Sequence, residues 1–105
     1  MSKSYSIVIT SFSKKKTGAK LIETLLAAKL AACIQVFPIR SFYTWKGRTS
    51  KGRESLMLIK AKSRDFEAIK AVIVRNHDYD VPEIVSVPIA RALAGYLAWI
   101  DSVTR

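Results

Sequence analysis

Cysteine and histidine are all but missing from this sequence, which has one of each, Cys33 and His77. A single cysteine excludes an internal disulfide framework and suits a reducing compartment. Metal centres built from several thiolates or imidazoles at fixed spacing, such as CxxC or HExxH, are excluded with it. Acid is scarce as well: eight Asp and Glu stand against eighteen Lys and Arg, a net charge of +10. Long hydrophobic runs are also lacking, and none approaches the roughly 18 apolar residues of a membrane span. The opening MSKSYSIVITSF has neither the apolar core nor the small-residue cleavage site of a signal peptide, so the expected location is the cytoplasm, without membrane association. Four glycines and three prolines, scattered, leave no linker, low-complexity tract or repeat.

What remains is a globular composition. Half of the 105 residues are hydrophobic and a quarter charged, and the length suits one domain over 1–105. A domain of this size buries only about two-thirds of the surface its unfolded chain exposes. Half hydrophobic is therefore generous for a monomer, and the excess is available to a subunit interface. The positive charge attracts nucleic acid, anionic membrane or small phosphorylated ligands. It also serves plain solubility, which composition alone favours.

Alternating β-branched and aromatic residues predict a first strand over Tyr5 to Phe12. Leu, Ala, Glu and Lys then predict a helix over Ala19 to Ala32, with Ile22, Leu25, Leu26 and Lys29 on one face. Lys14, Lys15 and Lys16 would oppose the macrodipole by about 0.3–1 kcal/mol each at its start, so the helix is expected to begin after them, with Thr17 as N-cap. Cys33 to Ile39 and Phe42 to Trp45 read as one long strand interrupted near Pro38 by a bulge or kink. Lys46 to Arg53 is a turn by composition. Glu54 to Ala61 returns as the other arm of a long hairpin. Ser63 is the expected N-cap of a second helix burying Phe66, Ile69 and Ile73 and ending near Asn76. Ile84 to Ile89, with Pro88, predicts a short edge strand, and Leu93, Tyr96, Leu97 and Ile100 a closing helix. The order βαββαβ plus a C-terminal helix is α+β, the ferredoxin-like split βαβ arrangement.

Few residues offer chemistry. His77 lies among Asp78, Asp80 and Glu83, a weak transition-metal constellation, or else simply binds backbone at the helix end. Cys33, between Ala32 and Ile34, reads as a buried, inert thiol. No G-x-S-x-G or second histidine supports nucleophilic or acid–base catalysis, so no enzyme is expected. Gly18 with Lys14 to Lys16 could hold an anion at the helix start, an unspecific signal. The hairpin region 40–64 carries eight basic residues and one acid, Glu54, interleaved with Phe42, Tyr43 and Trp45. That mixture is what a single-stranded nucleic-acid or anionic-ligand module requires. The third strand GRESLMLIKA, however, carries none of the aromatics of the RNA-recognition signature. Nucleic acid is therefore the disfavoured partner, and aromatics packing a protein interface under a solvated basic hairpin the favoured reading.

Five blocks, LAACI at 30–34, SFYTWKG at 41–47, LIK at 58–60, NHDYDVPEI at 76–84 and YLAWI at 96–100, resemble the CutA divalent-cation-tolerance family in residue, order and spacing. The resemblance runs from Tyr5 to Ile100. It implies a non-enzymatic homotrimer with an architecture similar to the PII signalling proteins, whose long hairpin reaches neighbouring subunits. It further implies an inter-subunit pocket at Tyr43, Trp45, Lys60, His77, Tyr79, Pro82, Glu83 and Trp99, suited to a small anionic ligand, although Tyr79, Pro82 and Trp99 serve equally as trimer packing. Some members resemble copper-binding proteins, with a cysteine ending the first strand and two adjacent histidines before a Pro-Glu. Those positions fall here on Thr10 and Asn76-His77, so His77 alone is carried over as a metal ligand.

Overall fold

The structure, a computed structural model, describes residues 4–105. Strand β1 (Tyr5–Phe12) is followed by helix α1 (Lys15–Ala27) and by strands β2 (Cys33–Trp45) and β3 (Arg48–Lys62). A 3-10 turn (Ser63–Asp65) leads into helix α2 (Phe66–Asn76), strand β4 (Val85–Pro88) and helix α3 (Ala94–Val103). The sheet order is β2-β3-β1-β4, antiparallel throughout, which is the ferredoxin-like arrangement. Among the described residues no helix is long and apolar enough to cross a membrane.

Strand alternation sorts the side chains onto two faces. Val8 and Phe12 of β1 and Met57, Ile59 and Ala61 of β3 face Leu21 and Leu25 of α1 and Ile69 and Ile73 of α2, and together they form the buried core. Thr10, where the resemblance places a cysteine, is fully buried on this same face. The opposite face is only partly covered. Tyr5 Oη donates to Asp101 Oδ2 at 2.9 Å, and Lys60 Nζ stands 5.6 Å from the Tyr96 ring centroid, so α3 caps one end of it. Phe37, Val85 and Val87 on that face remain more than 40% exposed.

The structure departs from the expected elements at three places. Helix α1 starts at Lys15 and not after the lysines, because Asp78 from the segment after α2 reaches its first turn. Thr17 Oγ1 donates to Asp78 Oδ1 at 2.7 Å, and Lys14 Nζ lies 3.8 Å from Asp78 Oδ2. A carboxylate there offsets the charge the lysines set against the dipole. At the other end Lys29 takes φ 57, a left-handed conformation that stops the helix, so it belongs to no apolar face. Leu26 is likewise exposed, and the buried stripe is Thr17, Gly18, Leu21 and Leu25.

The second departure is the hairpin. The pairing of β2 with β3 runs from Cys33↔Lys60 to Trp45↔Arg48 in one register, with no bulge at Pro38. Strand β2 lies at the sheet edge, where a proline is tolerated. The turn is two residues and not 46–53: Lys46 (φ 51) and Gly47 (φ 75) both take positive φ, the type I′ geometry that matches strand twist. Third, the N-cap of α2 is Asp65 rather than Ser63, whose hydroxyl instead pairs with that of Ser6.

Glycine 18 allows α1 to lie on β1. A Cβ at that position would stand 2.3 Å from Phe12 Cε2. Gly18→Ala is expected to destabilise the protein by about 1–3 kcal/mol through overpacking, read by denaturant unfolding. Gly52→Ala, with nothing within 4 Å of the added carbon, is the matched control.

Candidate functional site

The eight residues carried over by resemblance fall into three separate groups in one chain. Tyr43 and Trp45 stand near the hairpin tip, 49% and 60% exposed. His77, Tyr79, Pro82 and Glu83 lie on the segment between α2 and β4. Lys60 and Trp99 sit at the end capped by α3, where the Trp99 ring is 5.6 Å from that of Tyr96. Tyr96 thus joins Lys60 to Trp99, a role its place in a helical apolar stripe concealed.

Distance keeps the groups apart. Tyr43 is paired with Ser50 and Cys33 with Lys60, so roughly 33 Å of strand separates the first group from the third at about 3.3 Å per residue. Alternation nonetheless places Tyr43, Trp45 and Lys60 on the same, partly covered face of the sheet.

The middle group is the most tightly bonded. The His77 side chain is fully buried. The backbone N–H of Tyr79 donates to His77 Nδ1 at 3.1 Å, which leaves the proton on Nε2, 2.8 Å from the carbonyl oxygen of Ser11 that accepts it. Both ring nitrogens are therefore engaged with backbone, and the imidazole packs 4.5 Å from the Tyr79 ring. A metal ligand needs a free imidazole lone pair, so the expectation of His77 as a metal ligand does not fit this geometry. Among the described residues no group of three or more His, Cys, Asp or Glu converges to hold a metal ion. The described residues of one chain do not fit copper. His77 instead fastens the segment after α2 to the end of β1.

Tyr79 reaches past it to Glu54, which sequence reasoning passed over as the lone acid of a basic hairpin. Tyr79 Oη donates to Glu54 Oε2 at 2.7 Å. Burial opposes ionisation of Glu54, but hydrogen bonds from Ser41, Tyr79 and Ser11, with a smaller effect of His77, outweigh it and hold the carboxyl below its ordinary 4.5. Burial pushes the Tyr79 phenol up; a Ser13 hydrogen bond opposes this and Glu54 adds to it. At Asp78 the Thr17 hydrogen bond holds the carboxyl down against some desolvation. Glu54 therefore ties three elements, β1, β2 and the segment after α2, to one point on β3.

Because the folded-state values of Glu54 and Asp78 lie below their unfolded ones, the stabilisation is complete above the ordinary carboxylate range. It is lost as pH falls through the folded values. Thermal melting should be level near neutrality and fall on acidification below about pH 4.5. Glu54→Gln should melt lower at neutral pH and show a shallower acid decline; an unchanged acid profile would remove Glu54 from this role.

A family model described as the CutA1 divalent ion tolerance protein matches residues 6–103. The Divalent-cation tolerance protein CutA of Archaeoglobus fulgidus is 38% identical over 82 residues, 78% of this chain and 80% of its own. A rice (Oryza sativa subsp. japonica) relative named Protein CutA 1, chloroplastic is 34% identical over 94% of this chain, and the chain spans only 56% of that relative's length. The crystal structure of CutA1 from Oryza sativa superimposes with a TM-score of 0.92 at 33% identity, covering 97% of this chain and 94% of that one. With a family model that spans residues 6–103 and a relative 38% identical over 78% of this chain, the chain belongs to the CutA1 divalent-ion-tolerance family.

Proposed function

We propose that this protein is a cytosolic, non-catalytic homotrimer acting in the cell's response to divalent metal ions, copper among them, through a small anionic ligand or a metal ion held between subunits. The observation that carries this reading is the mismatch between the hairpin and its own core. Strands of 13 and 15 residues extend the molecule to 45 Å in its longest direction, against 26 and 22 Å in the others. Among the described residues the outer edge of β2 has no strand beside it, and Phe37, Tyr43 and Trp45 lie exposed on one face. An uncovered edge and an apolar face of this kind are aggregation hazards unless other copies close them.

The three groups of pocket residues favour the same assembly. Tyr43 and Trp45 meet Lys60, Trp99 and the His77–Glu83 segment only if the hairpin of one copy crosses the face of another. Lys60 beside Tyr96 and Trp99 then supplies a cation with aromatic walls, which suits a small anion. A metal ion would require ligands from more than one copy, because the described residues of one chain gather too few of them. The divalent-cation-tolerance names of the relatives supply the metal-response part of the reading.

Sedimentation velocity is expected to give about three times the 11.7 kDa chain mass. Phe37→Asp, which places a charge on the uncovered face, should shift the protein toward monomer. A stable monomer for the unsubstituted chain would overturn the reading.

A further inference from the structure

The two faces of the projecting hairpin differ in chemistry, and the register shows how. On the face toward the trimer contacts stand Phe37, Tyr43 and Trp45. On the other, beyond the ends of α1 and α2, stand Arg40, Phe42, Lys51 and Arg53, all exposed. Arg40 is directly opposite Arg53, and Phe42 directly opposite Lys51. Like charges in a directly opposed pair destabilise a sheet, and among the described residues neither arginine has an ion-pair partner. The Arg40 guanidinium carbon lies 5.6 Å from the centroid of the Phe42 ring, which is 59% exposed. Beside them a recess of about 320 Å³ opens between Pro38, Ile39, Arg40, Arg53 and Glu54, whose carboxylate is already engaged by Tyr79.

We propose that this face, Arg40, Phe42, Lys51 and Arg53, is a docking surface for single-stranded nucleic acid. Phosphates lie against the Arg40–Arg53 pair, relieving its repulsion, and an unpaired base stacks on the free side of Phe42. Charge complementarity selects a polyanion. The exposed ring between cations selects one with free bases, because a duplex keeps its bases stacked inside. Tyr43 and Trp45, which the sequence interleaves with these cations, take no part, since they point to the opposite face. The trimer reading is not a premise: the surface lies on the side that reading leaves open.

The test is fluorescence anisotropy of a short labelled oligodeoxythymidylate with the full chain in its native oligomeric state. Affinity should fall steeply between roughly 50 and roughly 200 mM salt. Arg40→Ser with Arg53→Ser should weaken binding at least about tenfold and reduce the log–log salt slope by about 1.4. Phe42→Leu, which keeps the apolar bulk and the charge, should weaken it by about 5- to 100-fold. Lys70→Ser, on α2, should bind as the unsubstituted chain does. The proposal is overturned by absence of binding at low salt, by full affinity of Phe42→Leu, or by equal competition from polyglutamate or anionic vesicles. Circular dichroism and sedimentation of each variant separate loss of the surface from loss of the fold, and Phe42→Leu alone decides the matter if the double arginine variant misfolds.

Discussion

The unbroken pairing of β2 with β3 is the constraint on which the rest of the molecule depends. One register persists from Cys33↔Lys60 to Trp45↔Arg48, and the Lys46–Gly47 turn closes it without a spare residue. Because side-chain direction has a period of two, that register assigns every hairpin residue to a face. A one-residue slip would move Phe37, Tyr43 and Trp45 to the basic side and Arg40 and Phe42 to the apolar side. The placement of Phe37, Tyr43 and Trp45 on one face and of Arg40, Phe42, Lys51 and Arg53 on the other is therefore a property of the turn as much as of the strands.

A second fastening holds the domain behind the hairpin. The segment following α2 delivers three side chains to three places: His77 to the carbonyl of Ser11, Asp78 to the first turn of α1, and Tyr79 to Glu54. Each meets a polar group on another element. The Asp78 carboxylate explains why a helix can begin in a run of lysines. The His77 contacts explain the burial of the only imidazole, and they consume the lone pair a metal would need. The one residue that sequence resemblance offered for metal binding is thus committed to backbone contacts.

Much of the fold was legible because its signals are local. Alternation over Tyr5 to Phe12 coincides with β1, and Ile69, Ile73 and Asn76 place the core and end of α2 as expected. The family blocks identified the same architecture independently. What was illegible depends on partners distant in sequence. Thr49 to Arg53 looks like a turn because its residues have low strand propensity, and only pairing with Arg40 to Thr44 makes it a strand. The start of α1 depends on an aspartate 61 residues from Thr17. Glu54 carries no sequence signal as an anchor, since its value lies in Tyr79, Ser11 and Ser41 converging on it. The sequence blocks could not show that Tyr43 and Trp45 on the hairpin, His77 to Glu83 after α2, and Lys60 with Trp99 beside α3 form three separate groups, because that separation depends on strand pairing.

We propose that the hairpin, too long for its own core, is held by other copies of the chain. Amide hydrogen exchange along residues 40–51 measures this most directly, since an isolated two-stranded ribbon is marginal in water while an assembled one opens only with the whole. In the assembled protein these amides, including those on the outer edge of β2, should be protected nearly as strongly as those of β1 and lose protection in Phe37→Asp. Fast exchange throughout 40–51 in the unsubstituted protein, with β1 still protected, would contradict it.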